Sequence, residues 1–188
     1  MTKTIIITGA SDGNGAAAAR QLSAKGEHIV VVGRSPKKTE ANAKELKSPY
    51  HAADFTDLAQ VRRLANELLS TYPRIDVLAN NAGGLFENEK TSDGFEKTFQ
   101  INYLAWFLLT NLLMDRLVES KAKIIQTSSI GAKVFGHIKL EDFPYRFRTP
   151  LWKYGDTKLA NILFTNELHR RYFTQGPIGR LLDTPEGR

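Results

Sequence analysis

Thr8-Gly9-Ala10-Ser11-Asp12-Gly13-Asn14-Gly15 is the stretch whose reading decides the fold. A β-branched run from Lys3 to Thr8 leads into it and predicts a strand, while the alanine-rich run from Gly13 to Lys25 leads out and predicts a helix. A strand, a glycine turn and a helix in that order make a loop that can hold a phosphate. Gly9 permits the tight exit from the strand, Gly13 removes a side chain where a diphosphate must approach, and Gly15 lets helix and sheet pack closely. The first helical turn then offers unpaired amides and a positive dipole end to the anion. Ser11, Asp12 and Asn14 complete the loop and join the glycines as candidate cofactor contacts. A plain strand-turn-helix is the competing reading, and the presence of both flanking elements weighs against it.

Outward from this loop, short β-branched runs alternate with longer helical stretches, the pattern of a parallel sheet with crossover helices. The spacing predicts further strands at His28–Val32, Tyr50–Ala53, Asp76–Ala79 and Lys123–Thr127. It predicts helices at Pro36–Leu46, Leu58–Ser70, Phe95–Val118 and Tyr154–Tyr172. Phe95–Val118 is apolar through its middle, Tyr103 to Leu113, which suits a core or a subunit contact. The fold class is therefore α/β, a doubly wound parallel sheet. No repeat or linker divides the chain, so residues 1–175 read as one domain and 176–188 as an irregular tail. Gly136 to Leu151 reads as a long connection, and connections of that length are usually functional. Phe135, Phe143, Tyr145, Phe147 and Trp152, in and beside it, suit a substrate pocket or plain packing equally well.

Composition narrows the classes. The 188 residues are 41% hydrophobic and 24% charged, as in an ordinary soluble globular domain. With no cysteine, disulfides and thiolate metal sites are excluded. His51, His137 and His169 lie at no ligand-like spacing, so no metal is expected. No apolar run approaches a membrane span or a signal segment, and a cytoplasmic location is the expectation. The net charge of +6 is scattered, which argues against a nucleic-acid partner.

The densest basic group, Arg34 to Lys38, is better placed to meet a small-molecule phosphate. At the end of the second strand, where a site for NAD(H) usually places Asp or Glu against the ribose hydroxyls, this chain has Gly33-Arg34-Ser35. A guanidinium suits a 2′-phosphate through paired charge-assisted hydrogen bonds. NADP(H) is accordingly preferred, with NAD(H) as the alternative, and Lys37 and Lys38 extend the same patch.

Tyr154 and Lys158 lie four residues apart in Tyr-Gly-Asp-Thr-Lys, so a helix from Lys153 onward puts both on one face. A free tyrosine titrates at about 10, and a fixed cation nearby stabilises the phenolate. This pairing suits a proton-transfer residue, although i, i+4 Tyr/Lys pairs also occur on solvated helix faces. Ser128 and Ser129 precede it in the sequence.

Taken in order, the glycine loop, Asp54, Asn80-Asn81-Ala82-Gly83, Asn102, Ser129 and Tyr154/Lys158 resemble the short-chain dehydrogenase/reductase family, from about Thr4 to Tyr172. The Thr-Gly-x-x-x-Gly-x-Gly spacing is similar to its single-domain oxidoreductase branch. Lys158-Leu159-Ala160-Asn161-Ile162-Leu163-Phe164-Thr165 and the long insert before Tyr154 resemble its retinol-dehydrogenase-like group. The resemblance implies a Rossmann fold and hydride transfer between nicotinamide and a small carbonyl or alcohol substrate. It implies Tyr154 as general acid or base, Lys158 on the nicotinamide ribose, Ser129 on the substrate oxygen, and Asn102 anchoring a water relay to Lys158. It also implies Asp54 and the Phe55 amide at the adenine, and Asn81, Ala82 and Gly83 along the adenosine ribose. Ser128 is expected to cap backbone instead of facing substrate. A homo-oligomer built on the helices around Trp106 and Tyr154–Tyr172 is a further implication.

After Tyr172 the family pattern breaks. Ile178 to Leu182 reads as too short and too glycine-interrupted for a buried strand, so the last strands of the fold and the substrate-covering loop are expected to be missing. The fifth strand would then expose an edge and an apolar face. This leaves a second reading open, a nucleotide-binding module or truncated product with impaired turnover.

Overall fold

The computed structural model describes residues 2–139, 149–172 and 180–181. At its centre is a six-stranded sheet in the order β3-β2-β1-β4-β5-β6, with every pairing parallel. The strands are β1 (Thr4–Thr8), β2 (His28–Gly33), β3 (Tyr50–Ala52), β4 (Val77–Asn80), β5 (Lys123–Gln126) and β6 (Arg180–Leu181). Strand order reverses between β1 and β4, so their connections leave in opposite directions and a crevice opens beyond their carboxyl ends.

Side chains alternate between two cores. Ile6, Val30, Val32, Leu78 and Ile124 share one with Val61, Leu64 and Leu68 of α3 (Leu58–Thr71), and with Trp106 and Leu109 of α5 (Ala105–Leu112). Ile5, Ile7, Ile29 and Val31 share the other with Ala19 of α1 (Gly13–Ser23) and Ala43 of α2 (Pro36–Leu46). Burial on both faces is why Ile5-Ile6-Ile7 and Ile29-Val30-Val31-Val32 read as unbroken apolar runs. Beside α1, partly covered Val77, Ala79 and Ile125 floor a groove of about 490 Å³.

Three features depart from the sequence expectation. The stretch from Phe95 to Val118 is divided into α4 (Lys97–Phe99), a π-helical turn (Gln100–Leu104), α5 and α6 (Met114–Glu119). Leu113, between α5 and α6, has φ −93° and ψ −1°, and hydrophobic periodicity carries no signal for that local change. A short helix, α7 (Gly131–Phe135), follows the serine pair, and the last long helix, α8, begins at Pro150 and runs to Tyr172. Proline is tolerated in a first helical turn, where its missing N–H has no partner to lose. Within Ile178–Leu182, read as too short for a buried strand, Arg180 and Leu181 form a two-residue pairing with Ile125 and Gln126. Beyond it, no further strand occurs among the described residues. The expected tail, residues 176–188, otherwise lies outside the described residues, as do Phe143, Tyr145 and Phe147.

Trp106 marks the inner face of α5. It is fully buried in this chain's own core, and Phe107, beside it on α5, is the exposed residue.

One hydroxyl ties the ends of β1 and β4 together. The Thr8 side chain is fully buried; it donates to the Ala79 carbonyl (3.2 Å) and accepts from the amides of Asn81 (2.9 Å) and Ala82 (3.1 Å). Thr8→Val keeps the shape and removes the acceptor, leaving two backbone amides without this partner. Chemical denaturation should register a loss of about 2 kcal/mol, the cost of unpaired buried polar groups, whereas a neutral result would show that the amides find other partners.

Candidate active site

The crevice at the β1/β4 switch is a cleft of about 560 Å³. Gly9, Ser11, Asp12, Gly13, Asn14, Gly15, Arg34, Asp54, Phe55, Asn81, Ala82, Gly83, Tyr154 and Lys158 all line it. Residues from distant parts of the chain converge there because a parallel sheet places all its carboxyl ends along one edge. Two expected site residues, Asn102 and Ser129, are not among the lining residues.

At one end the glycine loop is shaped by close backbone approach. Gly9 has φ +68°, and a Cβ there would lie 2.7 Å from the Ala82 Cα. A Cβ on Gly15 would come within 2.4 Å of the Gly9 carbonyl oxygen, so α1 sits closer to the strand exit than any other residue allows. Gly13, by contrast, has open space within 4 Å of where its side chain would be. Asp12 caps α1 by accepting from the Gly13 amide at 2.8 Å, and its other oxygen meets Lys38 Nζ at 3.2 Å. That amide bond and the Lys38 cation hold the Asp12 carboxyl below the usual carboxylate range. Asn42 braces the loop from α2, donating to the Ala10 carbonyl at 2.6 Å. Arg34 is exposed on the lining and has no ion pair among the described residues.

Asp54 accepts from the Thr56 amide (2.9 Å), while Asp57 caps α3 through the Ala59 amide. Phe55 is buried, and its carbonyl accepts from Gln100 Nε2. Asn81 donates through Nδ2 to the Thr8 carbonyl at 3.1 Å.

At the other end α8 supplies Tyr154 and Lys158. The Lys158 ammonium donates to the Thr127 carbonyl at 2.8 Å and lies 4.8 Å from the Trp106 ring centroid and 5.5 Å from that of Tyr154. Lys158 is only 4% exposed, and desolvation lowers its pKa from 10.5 to about 8. Ser128 Oγ donates to the Lys158 carbonyl at 3.0 Å, a bond to backbone as the family resemblance implied. Ser129 Oγ accepts from the Gly131 amide at 3.1 Å. Gly131 separates it from Tyr154: a Cβ there would lie 3.2 Å from Tyr154 Cε1 and 3.5 Å from Ser129 Oγ. Gly155 has the same function one residue on, because its Cβ would lie 2.6 Å from the Cβ of Phe135 on α7. The Phe135 ring meets Trp152 edge to face, with centroids 6.1 Å apart.

Asn102 sits in the π-helical turn and is fully buried. It grips the loop after β4 at two points, accepting from the Gly84 amide (2.9 Å) and donating to the Gly84 carbonyl (2.8 Å). The backbone carbonyl of Asn102 accepts from Asn161 Nδ2 at 3.1 Å, and this bond ties the irregular turn to α8. No bond runs from Asn102 to Lys158, so its visible work is positioning.

Some lining and supporting residues were missed in the sequence. Thr127 holds the lysine through its backbone, which no side-chain motif signals. Asn161 had a signal, a polar residue three after Lys158 and hence near its helical face. Phe86 and Ile101 line the cleft without any local mark.

Comparison with known proteins agrees with this geometry. A family model described as short chain dehydrogenase matches residues 3–140. DnrU of Streptomyces sp. strain C5, named for daunorubicin C-13 ketoreduction, is 41% identical over 180 residues, covering 90% of this chain and 61% of that protein. Human retinol dehydrogenase 13 is 39% identical over 180 residues, covering 90% and 54%. Among solved structures, a Shigella flexneri short chain dehydrogenase complexed with NADP superposes with a TM-score of 0.75 at 25% identity, over 92% of this chain and 73% of that one. The chain thus spans somewhat more than half the length of these curated relatives. It belongs to the short-chain dehydrogenase family.

The buried lysine makes a testable demand on stability. Between the folded value of about 8 and the ordinary 10.5, the unfolded chain binds more protons, so stability rises with pH across that window and the buried charge costs stability below it. Lys158→Met should therefore be more stable than the parent at pH 7, by about 1–2 kcal/mol after the lost hydrogen bond. That advantage should shrink on going to pH 10, as followed by urea unfolding. An advantage that stays constant with pH would contradict a desolvated cation.

Proposed function

We propose that this short-chain dehydrogenase transfers a hydride between NADP(H) and a small carbonyl or alcohol substrate. The observation that carries the reading is the single cleft that collects the glycine loop, Arg34, Asp54, the Asn81–Gly83 loop, Tyr154 and Lys158. A dinucleotide suits this arrangement at both ends. The open space at Gly13 admits a diphosphate to the first-turn amides of α1, and the guanidinium of Arg34, without an ion pair among the described residues, stands at the end of β2 for a 2′-phosphate. NADP bound to the Shigella relative accords with that preference. When bound, the nicotinamide supplies or accepts the hydride.

This chain's residues manage the proton and the oxygen. Hydride addition to a carbonyl carbon leaves an alkoxide, which needs a hydrogen bond and a proton at the oxygen. Ser129 accepts in its bond to the Gly131 amide, so its own hydroxyl hydrogen remains available to the substrate oxygen. Tyr154, across Gly131 from it, delivers the proton from its phenol in reduction and receives one in oxidation. Lys158 keeps a positive charge near that phenol and would hold the nicotinamide ribose by a hydrogen bond, with Thr127 and Ser128 fixing its place. Asn102 holds the Gly84 loop and the π-helical turn against α8; a water relay from Lys158 past its carbonyl belongs to the same proposal.

Tyr154→Phe should lower turnover by about 10²–10⁴-fold, the span of a lost general acid. Its NADPH affinity should stay within about twofold of the parent, since no binding contact is assigned to the hydroxyl. Parallel loss of turnover and affinity would contradict the assignment. Arg34→Asp should reverse the cofactor preference toward NADH in equilibrium titrations, by roughly 1–3 kcal/mol of charged hydrogen bonding, and an unchanged ratio would remove the 2′-phosphate argument.

A further inference from the structure

We propose that the Asp12 carboxylate is an internal competitor for the cofactor's phosphates, setting how tightly the cleft binds a dinucleotide and how strongly it prefers NADP(H). This rests on the reading of the cleft as a dinucleotide site and adds an antagonist to it. The glycine turns, the first-turn amides of α1 and the neighbouring Arg34 at the end of β2 all favour an anion. Asp12 is the one formal negative charge in the octet, and it lies on the cleft lining.

Its two oxygens are bound to groups that an incoming anion would use. Oδ1 accepts from the Gly13 amide at 2.8 Å, one of the orphan donors of the helix terminus, and Oδ2 meets Lys38 Nζ at 3.2 Å. Lys38 stands on α2, four residues beyond Arg34 in the basic group after β2, and the pair is largely exposed, with side chains 65% and 78% accessible. Exposure matters to the argument. A solvated pair of this kind is weak and exchanges readily, so a phosphate can take either group from Asp12 without breaking the fold. The carboxylate therefore imitates the ligand when the cleft holds none. A diphosphate arriving at the Gly13 amide meets a like charge there, and a 2′-phosphate near Arg34 must compete for Lys38.

Two consequences differ in kind. Removing the Asp12 charge should strengthen binding of both dinucleotides, because both carry the diphosphate. It should strengthen NADPH more than NADH, because only NADPH gains the released Lys38. The first effect is repulsion relieved, and the second is a partner freed.

The test is equilibrium titration of NADPH and NADH against the parent, Asp12→Asn, Asp12→Ser, Lys38→Ala and the Asp12→Asn/Lys38→Ala double variant, followed by calorimetry. Asn and Ser both cap helices, so thermal unfolding of the ligand-free variants should stay close to the parent. Either variant keeps the test valid should the other fold poorly. Asp12→Asn should tighten NADPH by about fivefold, the worth of one screened charge a few ångströms away, and NADH by about half that factor. In the Lys38→Ala background the two cofactors should gain equally. Binding of NADPH that is unchanged or weakened by Asp12→Asn and Asp12→Ser would overturn this inference alone, as would an extra NADPH gain that survives Lys38→Ala. Absence of binding by either cofactor to the parent and every variant would overturn the dinucleotide reading itself.

Discussion

The chain leaving β1 runs so close to the loop after β4 and to the start of α1 that Gly9 and Gly15 have no room for a Cβ, and the rest of the site follows from that constraint. Gly9 and Gly15 stand where a Cβ would lie 2.7 Å from the Ala82 Cα and 2.4 Å from the Gly9 carbonyl, and the Thr8 hydroxyl ties the ends of β1 and β4 together. Strand order reverses there, so the chain leaving β1 and the chain leaving β4 diverge and leave a crevice. Under the proposed dinucleotide reading, the loop's room for an anion is a by-product of packing backbone against backbone.

The far end of the cleft works by the opposite means, burial of a charge. Lys158 is enclosed by Trp106, Tyr154 and the Thr127 carbonyl, and desolvation brings its pKa down to about 8. An isolated domain would be more stable with an apolar residue there, and a stability cost concentrated at a cleft is what function commonly imposes. Asn102 and Asn161 add a second irregularity, a π-helical turn whose carbonyl is satisfied from α8. The proposed chemistry uses both, the lysine as a fixed cation beside a phenol and the turn as the brace that keeps the Gly84 loop in register with α8.

Legibility in the sequence followed the range of the forces involved. Strands buried on both faces announce themselves as apolar runs, so β1 and β2 were readable to within a residue, and the glycine loop was readable because only glycine fits its geometry. The i, i+4 spacing of Tyr154 and Lys158 correctly placed them on one helix, although α8 starts a turn earlier at Pro150. What escaped was set by tertiary contact. The break in the helix at Gln100–Leu104 has no periodic signature, and apolarity alone does not say which neighbour covers each side chain of α5. The short reading of Ile178–Leu182 matches the two residues of β6 that pair with Ile125 and Gln126.

The central claim is that one dinucleotide spans the cleft, with its diphosphate on the glycine loop and its nicotinamide beside Tyr154 and Lys158. A crystal structure of the protein with NADP⁺ tests it most directly. The account predicts diphosphate oxygens hydrogen-bonded to first-turn amides of α1, the 2′-phosphate against Arg34, and the nicotinamide ribose within hydrogen-bond distance of Lys158 Nζ. A cofactor bound elsewhere, or bound with its nicotinamide turned away from Tyr154, would contradict it.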